Sequence, residues 1–192
     1  MSGVYISEKD TAFIHIPKCA GTSIREWLRS EGSFDIMSLE KRDFDLKHPT
    51  LDDIKAHFGR DKFEYTFAVV RNPYDRVVSM WKHLNVKSPL RKEYGIEKRT
   101  TLQDFVFKYA DYEGFMRPQS TWFSEEDGVD VLRFEDLQNE FRRVQKRFGR
   151  KDDLLILNEG KKTESDYRGL EDVKNHVYEK MKEDFERFGY SK

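Results

Sequence analysis

The stretch Thr11–Arg29, TAFIHIPKCAGTSIREWLR, constrains this chain more than any other. Its apolar run from Ala12 to Ile16 reads as a buried strand. The run breaks at Pro17, passes through Lys18, Cys19, Ala20, Gly21, Thr22 and Ser23, and restarts as a helix with Ile24, Trp27 and Leu28 on one face. A strand, a turn of small residues and a helix N-terminus make an anion site, because the turn's N–H groups and the helix dipole both favour negative charge. Lys18 adds a point charge, and Thr22 and Ser23 add hydroxyl donors. The stretch predicts a grip on a phosphorylated small molecule.

That attraction is local. With 35 basic against 36 acidic residues, the net charge of −1 gives no global field for nucleic acid or an anionic membrane. One cysteine excludes an internal disulfide and a cysteine-rich metal site. No apolar run approaches the about 18 residues of a membrane span, and no charged-then-apolar leader opens the chain. The expectation is a soluble, cytoplasmic protein, its 192 residues forming one domain, 1–192.

Residues 1–10 are polar and read as a frayed end. A short strand is expected around Phe34–Met37, then a helix opened by Thr50 as N-cap, with Leu51, Ile54 and Phe58 inward and Gly59 as its stop. Phe63–Val70 is the strongest strand signal. It runs into Arg71, Asn72 and Pro73, where Asn72 can cap a helix whose buried stripe is Val77, Val78, Trp81 and Leu84. Leu102–Tyr109 reads as a helix, Gly114–Phe123 has no clear form, and Val129–Phe134 reads as a strand. Glu135–Phe148 reads as an amphipathic helix capped by Glu135 and Asp136. Leu154–Leu157 reads as a last short strand, Asn158–Arg168 as a polar loop, and about Leu170–Phe188 as a final helix. Strands alternating with helices predict an α/β fold with a parallel sheet covered on both faces, its ligand at the carboxyl ends of the strands.

The first loop is not a Walker A motif, since no lysine follows Gly21 and Lys18 sits on the strand side. Cys19-x5-Arg25 matches the spacing of cysteine phosphatases, in which a thiolate attacks phosphorus. That rival leaves Lys18 and the second loop without a task, and Cys19 also reads as a small buried filler. In the second loop, Arg71 at a strand end and Ser79 two helical turns on can converge on one anionic group. Alone they also read as a surface arginine and a packing serine; beside the first loop, the binding reading wins.

HIPKCAGTSI resembles the 5′-phosphosulfate-binding loop of sulfotransferases, and VVRNPYDRVVSMW resembles their 3′-phosphate-binding strand and helix. The likeness is to carbohydrate sulfotransferases related to heparan 2-O- and chondroitin-type enzymes. It extends through a histidine-bearing segment, Pro118 and Gln119, LRFEDL and a terminal ERFGY, covering Thr11 to Tyr190. The resemblance implies a P-loop-NTPase-like (nucleoside-kinase-like) central parallel sheet flanked by helices. It implies 3′-phosphoadenosine 5′-phosphosulfate as donor, no metal, and transfer of its sulfuryl group to a hydroxyl acceptor, a glycan by preference. Lys18 would neutralise the leaving 5′-phosphate, the backbone of Cys19, Ala20, Gly21, Thr22 and Ser23 would cradle it, and Arg71 and Ser79 would hold the 3′-phosphate. Lys161, Lys162 and Thr163 fall where relatives bring basic and hydroxyl residues over the nucleotide, though they also read as a solvated loop.

Transfer needs a base, and histidine suits the task. Of five histidines, His15 reads as packed within its strand, while His57, His83 and His176 fall on helices. His48, held extended by Pro49 just before a helix, is the chosen base, with a carboxylate as the alternative. The basic run Lys82–Arg99 reads as a solvated face, or else as a receiver of an anionic glycan. A non-catalytic nucleotide-binding module remains the third reading of the chain.

Overall fold

The computed structural model describes residues 5–7, 10–29, 34–36, 48–59, 61, 63–86, 88–109, 116–155 and 164–192. The chain divides into two compact units, Met1–Arg71 with Thr121–Glu159, and Asn72–Ser120 with Gly160–Lys192.

The first unit holds a five-stranded sheet made of β1 (Tyr5–Ser7), β2 (Thr11–Ile14), β3 (Phe34–Ile36), β4 (Tyr65–Val70) and β5 (Asp130–Arg133), in the order β3-β1-β2-β4-β5. β2, β4 and β5 are parallel, in registers that pair Ile14 with Ala68 and Val70 with Arg133. β1 runs antiparallel to both β2 and β3. The sheet is therefore mixed, and the supposedly frayed start contributes a strand; three residues in a polar setting carry no alternation by which to find it. Helices α1 (Gly21–Arg29), α2 (Leu51–Phe58), α6 (Leu137–Glu140) and α7 (Arg142–Phe148) flank the parallel strands.

Continuous burial of the central strands sets the core, β2 at all four positions and β4 at all but Tyr65. Phe13 and Phe67 stack at 4.9 Å, and Trp27 of α1 meets Phe141 edge-on at 4.9 Å and Phe148 at 5.6 Å. Thr50 is the expected N-cap, and it forms a full capping box, taking the Asp53 N–H on its hydroxyl while the Asp53 carboxylate accepts from the Thr50 N–H at 2.8 Å. Gly59 closes α2 in the left-handed region, φ 60°. Leu51 and Ile54 are buried; Phe58 is only half-buried.

One expectation fails here, and the expected Leu154–Leu157 strand is not formed at Leu154 and Leu155, the half of it that is described. Glu135–Phe148 is a short 3-10 turn followed by two helices, and Asp136 makes no side-chain cap bond. Residues 151–155 form no strand, and 156–157 lie outside the described residues. The carbonyls of Asp152 and Leu154 accept from the Gln145 and Gln138 amides at 2.6 Å, so side chains take the bonds a sheet neighbour would have made.

The second unit contains α3 (Pro73–Val86), α4 (Ser88–Glu93), α5 (Leu102–Tyr109), α8 (Glu171–Lys180) and α9 (Lys182–Phe188). Asn72 caps α3 by accepting from the Tyr74 N–H at 2.9 Å. Val77, Val78 and Leu84 are buried as expected, with Trp81 half-buried and donating to the Thr100 carbonyl at 2.7 Å. The expected single terminal helix breaks at the fully buried Met181, φ −117°. Asp184, also fully buried, accepts from the N–H groups of Gln119 and Ser120 at 2.7 and 2.8 Å. Among the described residues no helix is long and apolar enough to cross a membrane.

Candidate functional site

Parallel pairing of β2, β4 and β5 brings three strand ends to one edge of the sheet. The loop after β2 is wound tightly. Ile16 donates to the Ile14 carbonyl at 3.2 Å, Cys19 to that of Ile16 at 3.3 Å, and Ile24 to that of Ala20 at 3.1 Å. Lys18 and Ala20 adopt φ of 70° and 59°, positions that cost a residue with a Cβ about 1–3 kcal/mol each. Alternating left-handed residues turn successive N–H groups into a concavity for an anion. The Cys19 N–H is spent inside the turn, which narrows the expected cradle to Ala20 through Ser23. Thr22 is exposed and Ser23 buried at the helix start.

Cys19 is 1% exposed, with its thiol directed at the Pro17 carbonyl at 3.7 Å. Arg25 pairs with Glu26 at 3.3 Å. A thiol buried in this way is not presented as a nucleophile, which removes the support for the phosphatase reading.

Gly21 is required by a neighbour. A Cβ there would stand 1.8 Å from His15 Nε2 and 2.1 Å from its Cδ2. The His15 ring thus lies directly against the first residue of α1. It also meets the His48 ring edge-on, centroids 4.7 Å apart. His48 Nδ1 lies 3.0 Å from the His15 carbonyl oxygen. A carbonyl can only accept, so His48 Nδ1 carries a proton, and in the neutral imidazole Nε2 is the basic nitrogen. The His48 loop is held on both sides. The fully buried Trp122 donates from Nε1 to the His48 carbonyl at 3.2 Å, and the Thr50–Asp53 capping box follows two residues later.

Arg71, 6% exposed, follows β4. Its Nη1 donates to the Lys18 carbonyl at 3.4 Å, and its guanidinium lies 4.2 Å over the ring of Phe134, which follows β5. The first unit thus brings together Lys18 to Ser23, His48 and Arg71. Ser79 lies in the second unit, half-buried on α3. Lys161, Lys162 and Thr163 lie outside the described residues. Sequence reasoning passed over His15, Phe134 and Trp122. The register of β4 against β5, which sets Phe134 beside Arg71, is the signal that would have found the second.

The strand–turn–helix loop, Arg71 and His48 thus gather at the carboxyl edge of parallel strands, where α/β sheets place their ligands. The chain belongs to the Sulfotransferase family, whose sequence profile matches residues 4–153, 150 of the 192. No curated protein and no solved structure matches it.

Proposed function

We propose that the protein moves the sulfuryl group of 3′-phosphoadenosine 5′-phosphosulfate to a hydroxyl, with a carbohydrate as the acceptor class. The observation that carries the reading is the His48 Nδ1–H bond to the His15 carbonyl, which leaves Nε2 as the basic nitrogen of a ring that meets His15, itself against Gly21.

The loop suits a phosphosulfate. Its Lys18 and Ala20 are left-handed, a strained conformation for residues with a Cβ, and Gly21 is the first residue of α1. The bound donor supplies a sulfuryl group already activated on a phosphate leaving group. Lys18 sets a cation against the charge that grows on that phosphate, and the N–H groups of Ala20, Gly21 and Thr22 hold its oxygens. Arg71, stacked on Phe134, offers a fixed fork for the 3′-phosphate; Ser79 is assigned to the donor on the resemblance alone. Lys161, Lys162 and Thr163 are assigned to the nucleotide on the resemblance alone. His48 Nε2 takes the proton of the acceptor hydroxyl as the sulfur–oxygen bond forms. The base, the cation and the amide cradle each act by position, which is what transfer of such a group requires.

Calorimetry with 3′,5′-adenosine bisphosphate, 5′-AMP and ATP tests the donor. The bisphosphate is expected to bind at least about tenfold more tightly, a difference of ~1.4 kcal/mol. Equal binding of all three sinks the assignment.

A further inference from the structure

We infer that His15 is a positioning residue for His48: its carbonyl fixes which nitrogen of His48 carries the proton, and its ring, wedged between the His48 ring and Gly21, fixes where that nitrogen stands against the donor loop. The inference rests on the reading of His48 as the base.

Three observations converge on it. The carbonyl bond at 3.0 Å admits only the Nδ1–H form of neutral His48. The edge-on contact at 4.7 Å and the close approach to Gly21 set the His15 ring against both the His48 ring and the first residue of α1. The third is an unmet need. His15 Nδ1 is buried with no hydrogen-bond partner among the described residues. A packed imidazole normally satisfies its buried nitrogen, since leaving it unmet costs about 1–3 kcal/mol. An apolar ring would fill the same place without that cost, so filling space does not account for a histidine here. Desolvation by the surrounding protein, and then the charges of His48, Arg25 and Lys18, hold the His15 imidazole well below the usual histidine range. His15 therefore stays neutral and does not compete with His48 for the acceptor's proton.

The test reads the ring nitrogens directly. Nitrogen-15 and carbon-13 shifts of His48, assigned with His48→Gln, are recorded on the full chain with 3′,5′-adenosine bisphosphate bound. The wild-type chain is expected to show the Nδ1–H tautomer in at least about tenfold excess. His15→Ala keeps the residue-15 carbonyl but removes the ring that holds the His48 imidazole against it, so that ratio should fall towards unity, while calorimetric affinity for the bisphosphate stays within about threefold. His15→Gln, which keeps bulk without the ring, gives the same comparison should the alanine variant not fold. An unmoved His48 tautomer in the folded variant overturns the inference alone, whatever happens to stability. Release of the bisphosphate from the sulfate donor over a panel of saccharides, at wild-type rate in His48→Gln, overturns the base assignment and this inference with it.

Discussion

Arg71 Nη1 donates to the carbonyl of Lys18 at 3.4 Å, so two motifs 53 residues apart share one hydrogen bond. The carbonyl of Lys18 belongs to a left-handed residue, and the guanidinium that meets it is pinned on Phe134. If Arg71 reads the 3′-phosphate, Arg71→Ala should erase the preference for 3′,5′-adenosine bisphosphate over 5′-AMP, a loss of about a hundredfold or ~2.7 kcal/mol. Arg71→Lys keeps the charge but loses the fork and the stack, and should fall about tenfold. Calorimetry on both nucleotides decides. Equal losses for the two would assign Arg71 to holding the Lys18 loop and leave the 3′-phosphate without its arginine.

Gly21 and His15 are coupled by contact, which gives a double-mutant cycle. Gly21→Ala places a Cβ 1.8 Å from the His15 ring and should weaken bisphosphate binding about tenfold or more. Removing the ring in Gly21→Ala/His15→Ala should restore most of that loss, a coupling of about 1–3 kcal/mol. Losses that simply add would mean that the Cβ harms the loop by another route.

His15 also sets a pH dependence. Its folded-state pKa lies well below the ordinary value of an unfolded histidine, about 6.5. The unfolded chain therefore binds the extra proton first, and the contribution of the neutral buried ring to stability is present above about pH 6.5 and lost as pH falls towards the folded-state pKa. Urea midpoints taken from about pH 7.5 to 5 should fall more steeply for the wild type than for His15→Gln. Parallel curves would show that the ring titrates alike in both states.

Much of this was legible in the sequence, because local physics writes it there. The strand–loop–helix at Thr11–Arg29, the Thr50 cap, the Asn72 cap and the parallel strands all follow from periodicity and capping chemistry. What was not legible depends on distant contacts. Trp122 reaches the His48 carbonyl across 74 residues, and nothing near either residue announces it. Leu154–Leu157 reads as a strand from its apolar run, but Gln138 claims the Leu154 carbonyl and Gln145 that of Asp152. His15 reads as strand packing because it falls in the apolar run Ala12–Ile16, but β2 ends at Ile14, and the meaning of His15 comes from Gly21 and His48, which only the fold brings to it.

Asp184 offers the clearest test of how the second unit is held. Its fully buried carboxylate accepts from the Gln119 N–H at 2.7 Å, the Gln119 side-chain amide at 3.2 Å and the Ser120 N–H at 2.8 Å. Arg187 donates to the Ser120 carbonyl at 2.9 Å, and the fully buried Arg76 to that of Arg117 at 2.8 Å. One short segment is thus gripped by three charged side chains, Arg76 on α3 and Asp184 and Arg187 on α9. Such bonds matter most when one partner is removed, because the donors left behind stay buried and unmet. Asp184→Ala should cost about 3–5 kcal/mol, and Asp184→Asn less, since one amide oxygen can still accept from part of the cluster. Urea denaturation of the full chain measures both. A loss below about 1 kcal/mol for Asp184→Ala would mean that water or a rearranged segment replaces the carboxylate, and that the 117–120 backbone is held chiefly by Arg76 and Arg187.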